Sequence, residues 1–127
     1  MSASGIVVHG IANCDTVKKA RAWLTAQGQA YDFHDFKRDG LPAALLDAWI
    51  GAVGVQTLVN RKGTTWRRLD DATRAAIDDD PAAARAALLA QPSLVKRPVV
   101  GWPDGSISVG LDALRAVGAR HGAGTAG

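Results

Sequence analysis

Cysteine is nearly absent. The chain has one, Cys14, in 127 residues. A single cysteine excludes an intramolecular disulfide. It also excludes a C-x-x-C redox pair, because Val17 stands three positions on. A lone thiol suits a reducing compartment, so cytoplasm is the expected location. No apolar run approaches the roughly 20 residues of a membrane span. The opening Met1-Ser2-Ala3-Ser4-Gly5 has neither the basic region nor the apolar segment of a signal peptide. G-x-G-x-x-G and the P-loop are both missing, so there is no nucleotide-fold signature. His9, His34 and His121 have no partners at metal-ligand spacing, and no metal site is expected.

What is present suits one folded domain over residues 1–127. Hydrophobic residues make up 47% and charged residues 21%. The net charge of +3 is mildly basic. That favours anionic small molecules. The lysines and arginines are spread along the chain rather than gathered in a stripe, so nucleic acid is not an expected partner.

In chain order, residues 5–9 read as a buried strand ending at Gly10. Residues 16–27 read as a helix with Val17, Ala20 and Leu24 on one face and Trp23 beside them. Residues 31–36 read as a second strand, making a βαβ unit with parallel strands. Lys37-Arg38-Asp39-Gly40 reads as a turn. Pro42 opens a helix to about Val53. A helical turn over 55–59 and a polar loop over 60–65 follow. Asp70 or Asp71 caps a short helix through Ile77, and Asp80-Pro81 opens another to Ala90. Residues 98–102 and 106–109 form a hairpin about Pro103-Asp104-Gly105. Leu111 to Val117 is the last helix, the core covers about 5–117, and 118–127 are expected to form a flexible tail. One packing fits this order: an α/β mixed four-stranded sheet, one pair parallel and one a hairpin, covered by helices. Cys14 then lies at the carboxyl end of the first strand, where open α/β sheets place their sites.

At that junction the free N–H groups of the helix's first turn carry partial positive charge. They lower a thiol's pKa and make it a better nucleophile. Cysteine is also a small hydrophobe that fills cores, but apolar packing does not explain the polar neighbours Asn13, Asp15 and Thr16. Arg97 offers a planar fork suited to oxyanions and carboxylates; a surface arginine lying over the helix layer is an equal reading. Pro98, opening a strand beside a reactive thiol, is a candidate for a cis bond. Arg61 lies in a basic, glycine-containing loop able to bind an anion, although most such loops are solvated connections. His9 is a candidate support for the Cys14 thiolate and equally an ordinary strand-end histidine. The four tryptophans read as core or half-core, with Trp66 best placed to border a site.

Three segments stand out together: Gly10-Ile11-Ala12-Asn13-Cys14-Asp15-Thr16-Val17-Lys18-Lys19-Ala20, Asn60-Arg61-Lys62-Gly63-Thr64-Thr65-Trp66, and Gln91-Pro92-Ser93-Leu94-Val95-Lys96-Arg97-Pro98-Val99-Val100. In this order they resemble the arsenate reductase (ArsC)-like family, and within it the YffB branch grouped with the Spx/MgsR regulators. The resemblance implies a thioredoxin-like fold with a helical insertion between the βαβ unit and a C-terminal β-hairpin-α unit, and Pro98 at the cis-proline position. It implies Cys14 as nucleophile. Arg61 and Arg97 would contact an oxyanion or glutathione, with Asn13, Asp15, Thr16 and Pro98 around them. No cofactor would be bound; glutathione would be the co-substrate and glutaredoxin a further partner. Two departures matter. Ser106-Ile107-Ser108-Val109-Gly110 lacks the additional arginine of arsenate reductases, which weakens arsenate as substrate. Val17 removes the C-x-x-C switch of Spx proteins. The expected function is a glutathione-dependent thiol reductase with a single nucleophilic cysteine. The alternative is an Spx-like regulator that binds RNA polymerase without turnover.

Overall fold

The computed structural model describes residues 5–125, with side chains through residue 120. The chain divides into two compact units, one of residues 5–39 with 97–125 and the other Gly40–Lys96.

The first unit holds the sheet. Its strands are β1 (Val7–Gly10), β2 (Asp32–Asp35), β3 (Val99–Gly101) and β4 (Ile107–Val109), in the order β2-β1-β3-β4. β1 and β2 are parallel, with His9 opposite His34 and Gly10 opposite Asp35. β1 and β3 are antiparallel, with His9 opposite Val99, and β3–β4 is the expected hairpin. The parallel pair is joined through helix α1 (Asp15–Ala26), the crossover a βαβ unit requires. Strand alternation puts Val8, Phe33 and Val100 on one face, packed with Ile6, Ala20, Leu24, Trp102 and Leu114. Trp102 is also held by its indole N–H, which donates to the Ser108 hydroxyl at 2.9 Å.

Two boundaries in this unit differ from the sequence reading. Lys37 to Asp39 are not in a turn: β2 ends at Asp35 rather than at residue 36, and the chain enters a short helix, α2 (Phe36–Asp39). Asp35 causes this by accepting the Lys37 and Arg38 amides at 3.0 and 3.1 Å, as a helix-capping aspartate does. The last helix does not stop at Val117. α7 runs from Leu111 to Thr125, through most of the segment expected as a tail; residues 126–127 lie outside the described ones. Gly118 is a packing contact here. A Cβ at that position would stand 2.5 Å from Trp23 Cζ3 and 3.3 Å from Trp102 Cη2, so only glycine lets the helix approach this closely.

The second unit is the helical insertion: α3 (Ala43–Val53), α4 (Thr64–Arg68), α5 (Asp71–Asp79) and α6 (Pro81–Ala90), with single 3-10 turns at Gln56–Leu58 and Pro92–Leu94. Leu46, Trp49, Leu58, Ile77, Ala84, Leu88, Leu94 and Val95 are buried. Asp70 caps α5 by accepting the Thr73 amide at 2.7 Å, and Asp80 caps α6 by accepting the Ala82 amide at 3.0 Å. α4 replaces the end of the expected polar loop. Its terminal carbonyls, on Trp66 and Arg67, accept from Arg74 at 3.1 and 2.8 Å, a tertiary cap that stabilises so short a helix. No helix among the described residues is long and apolar enough to cross a membrane.

Candidate active site

Strand β1 ends at Gly10, and its sequence forces a close junction there. A Cβ on Gly10 would lie 2.8 Å from Val17 Cγ2. The strand end and the first turn of α1 therefore pack against each other with no room for a side chain, and the loop between them is short. Cys14 N–H donates to Ile11 O at 3.1 Å, closing a turn. Cys14 itself is the N-cap residue of α1, with extended backbone angles (φ −88°, ψ 126°). Its C=O accepts from Lys18 at 2.9 Å, so the helix begins at the thiol.

Arg97 reaches the same place by strand register. β3 runs antiparallel to β1 with Val99 opposite His9. Residues 98 and 97 therefore continue past the carboxyl end of β1, towards the Cys14 loop. The Arg97–Pro98 peptide bond is cis, as the family resemblance implied. Pro98 C=O accepts from Gly110 N–H at 2.9 Å, which fixes the entry to the strand.

The half-buried Cys14 thiol feels opposing influences. Burial pushes its pKa up. The Val17 amide, the hydrogen bond and charge of the Arg97 guanidinium, and the Thr16 amide pull it down, and the balance is a lowered pKa. The sulfur makes no strict capping hydrogen bond; the two amides act on it as oriented partial charges. Asn13 and Asp15 flank the thiol as exposed residues, and Thr16 is half-buried.

His9, a candidate support for the thiolate and equally an ordinary strand-end residue, pairs with another histidine. Its Nδ1 lies 3.0 Å from Nδ1 of His34, its partner on β2, with the rings edge-to-face at 5.2 Å. Burial first, then the charge of His34, lowers its pKa to about 4. At neutral pH the ring is uncharged and offers the thiolate no full positive charge.

One residue of the site is missing from the sequence reading. Asp35, buried at the end of β2, holds the nucleophile loop by accepting the Ala12 amide at 3.2 Å while its other oxygen caps α2. Burial raises its pKa, but the Arg38, Ala12 and Lys37 amides lower it further, so it is held below the usual carboxylate range. The one signal in the sequence is an Asp three residues before the Arg38-Asp39 pair, a pattern too common to single out. Beside it, Ile11, Ala12, Asn13, Asp35, Lys37 and Arg38 line an open cleft of about 270 Å³.

Arg61 belongs to the second unit. There it engages with Nε, Nη1 and Nη2 at once: Nε and Nη2 donate to Asp78 Oδ1 at 3.1 and 2.8 Å, Nη1 to Gln56 O at 3.2 Å, and Nη2 also to Gln56 Oε1. The guanidinium lies over the Trp66 ring, 5.3 Å from its centroid. Among the described residues no cluster of three or more His, Cys, Asp or Glu could hold a metal ion.

The profile of the ArsC family matches residues 9–114, from the end of β1 into α7. The chain belongs to the ArsC family. An uncharacterised protein of Haemophilus influenzae is 38% identical over 107 residues, covering 84% of this chain and 91% of its own length. Among solved structures, the YFFB protein is 48% identical with a TM-score of 0.76, covering 87% of this chain and 96% of that one. An arsenate reductase (ArsC) related protein from Brucella melitensis is 47% identical with a TM-score of 0.72, covering 85% of this chain and 88% of its own. An arsenate reductase from Vibrio cholerae, at 19% identity and TM-score 0.66, shares the fold. For an ArsC-family chain the mixed sheet with its helical insertion is the thioredoxin-like architecture, and the Cys14 loop lies at the carboxyl end of its first strand.

Proposed function

We propose that this ArsC-family protein is a glutathione-dependent thiol reductase with Cys14 as its nucleophile. The observation that carries the reading is the acidified thiol: a helix N-terminus and Arg97 converge on Cys14 and lower its pKa, the environment of reactive rather than structural cysteines. Thiolate attack on a disulfide breaks the S–S bond, expels one thiolate and leaves a mixed disulfide on Cys14. Glutathione thiolate then attacks that mixed disulfide, expels the remaining substrate thiolate and stays bonded to Cys14. A second glutathione thiolate attacks the bound glutathione sulfur, departs with it as oxidised glutathione and returns Cys14 as thiolate. With Val17 at the position of a resolving cysteine, the second thiol comes from outside the chain. Against arsenate the same thiolate displaces hydroxide from arsenic, and one glutathione displaces a second hydroxide. Another glutathione attacks the first one's sulfur and leaves with it as oxidised glutathione while As(V) becomes As(III). Water then releases arsenite from Cys14. Arg97 and Arg61 contact the oxyanion or the glutathione carboxylates, with Asn13, Asp15, Thr16 and Pro98 lining the thiol's surroundings. Preorganised charge of this kind stabilises the transition state electrostatically. β4 and its flanks, Ser106 to Gly110, bring no arginine, so a disulfide suits the site better than arsenate. In this reading no cofactor is bound, glutathione is the co-substrate, glutaredoxin is a candidate partner, and the working compartment is the cytoplasm.

The test is Cys14→Ser. We expect complete loss of glutathione-dependent reduction, both of a model mixed disulfide and of arsenate. Retained turnover on either substrate would end the proposal.

A further inference from the structure

The second unit carries a cleft of its own. Two segments distant in sequence are stapled there by backbone: Val59 and Val95 form an antiparallel bridge. Asn60 N–H donates to Leu94 O at 2.9 Å, and Lys96 N–H to Leu58 O at 2.7 Å. The staple gathers Arg61, Lys62 and Lys96 around one cleft of about 230 Å³, completed by Val59 and Asn60. Asn60 Oδ1 accepts the Lys62 amide at 3.2 Å, fixing the turn that carries Lys62. Three cations on one small cleft make a site for a carboxylate or a tetrahedral oxyanion.

The three cations are not equivalent. Arg61 is already paired with Asp78, at 2.8 Å, and braced by Gln56 and Trp66. Among the described residues no ion pair joins Lys62 or Lys96 to a carboxylate. Asp78 thus satisfies the guanidinium in the way an incoming carboxylate would. An anion approaching the cleft meets two uncompensated ammonium groups and one arginine whose charge is offset.

We propose that this cleft is an anion-binding site in which Lys62 and Lys96 supply the uncompensated charge and Asp78 is an internal competitor for Arg61 that holds the affinity down. The inference rests on the reading of Arg61 as an anion contact and extends it to three residues. The occupant is a small anionic group, either a carboxylate of glutathione or a free tetrahedral oxyanion.

The experiment is equilibrium binding to the reduced full-length protein at low salt. The probes are S-methylglutathione, which has no free thiol to exchange, and sulfate. Binding is followed by titration of the backbone amide spectrum. Asp78→Asn is expected to tighten binding about two- to fivefold, and Lys62→Ala and Lys96→Ala each to weaken it by a similar factor, the range of a partly exposed ion pair. The affected amides are those of residues 59–62 and 96. This pattern with S-methylglutathione identifies a carboxylate occupant; the same pattern with sulfate alone identifies a tetrahedral oxyanion. Either supports the proposal. A folded Asp78→Asn protein with unchanged or weaker binding overturns it, as does the absence of binding of both probes to the parent. Should Asp78→Asn not fold, the two exposed lysine variants decide: unchanged affinity in both overturns the proposal. Turnover through Cys14 is a separate readout, so a negative result here leaves the reductase reading standing, and loss of that reading leaves this result interpretable.

Discussion

Arg97 and Arg61 present the same guanidinium in two electrostatic settings. Arg97, at the head of β3, acts on a thiol, a group ordinarily uncharged at neutral pH, and helps make it an anion. Arg61, in the helical unit, faces a carboxylate that is an anion already and forms an ion pair with it. The contrast extends to the units around them. In the sheet-bearing unit the polar groups that matter are inside the fold: His9 against His34, and Asp35 with three backbone amides. The helical unit carries its charges as exposed pairs, Arg61–Asp78, Arg74–Asp71 and Arg85–Asp47. Desolvation, rather than the number of ion pairs, decides where charge has energetic weight. Acid should therefore attack the first unit, and substitution of surface charges in the second should matter little.

The sharpest test of that division is pH. The folded state holds His9 near 4 against an ordinary 6.5, through burial and then the charge of His34. Between those values the unfolded chain binds a proton that the folded chain refuses. Stability is therefore level above pH 6.5 and falls as pH drops towards 4, by about 3 kcal/mol in all. Chemical denaturation at a series of pH values measures this, and His9→Gln should flatten the limb. An equally steep limb in the variant would assign the acid sensitivity to other groups. Next in size is Asp35→Ala, which orphans the amides of Ala12, Lys37 and Arg38 and should cost about 1–2 kcal/mol, as loss of a helix cap does. Because Asp35's folded pKa is depressed, its contribution is present above the ordinary carboxylate range and disappears as pH falls below it. This second acid limb lies under that of His9, and Asp35→Asn, which keeps one acceptor oxygen, should lose less than Asp35→Ala.

How much of this was legible beforehand follows from the range of the interactions. The Cys14 junction was readable because its signals are local: an apolar run, a polar loop, then Val17, Ala20 and Leu24 at helical spacing. The hairpin was readable from Pro103-Asp104-Gly105 between two short strand-like runs, 98–102 and 106–109. The His9–His34 pair was not, because parallel register across 25 residues sets it. Asp35 looked like a strand residue, and its capping role exists only because α2 follows. α4 is five residues long, too short for a periodic pattern, and depends on Arg74 from the next helix. α7 runs past Val117 because the small, polar composition after it, which reads as a fraying tail, does not register packing. At Gly118 the glycine is required by Trp23 and Trp102. The two arginines looked alike, since only the fold brings Asp78 to Arg61.

For Arg97 the readout is the thiol. Arg97→Ala removes both a hydrogen bond to Cys14 and a nearby charge. The pH midpoint of Cys14 alkylation should rise, and the alkylation rate at pH 7 should fall several-fold. Arg97→Lys, which keeps the charge without the planar fork, should lie between the two. An unchanged midpoint in Arg97→Ala would mean that the helix amides of Val17 and Thr16 acidify the thiol on their own, and Arg97 would then differ from Arg61 in position rather than in effect.

The smallest effect is expected where the geometry looks best. Arg85 donates to both oxygens of Asp47, at 2.7 and 3.0 Å, a bidentate pair joining α6 to α3. Both side chains are well exposed, 41% and 51%, so water screens the attraction and holding two long side chains together costs rotamer entropy. Arg85→Ala should leave the thermal midpoint within experimental scatter, at low salt and at high. A loss as large as that of Asp35→Ala would show that the α3–α6 pair is a structural tie of the helical unit, and the division between a unit ruled by buried polar groups and one indifferent to its charges would fail at this point.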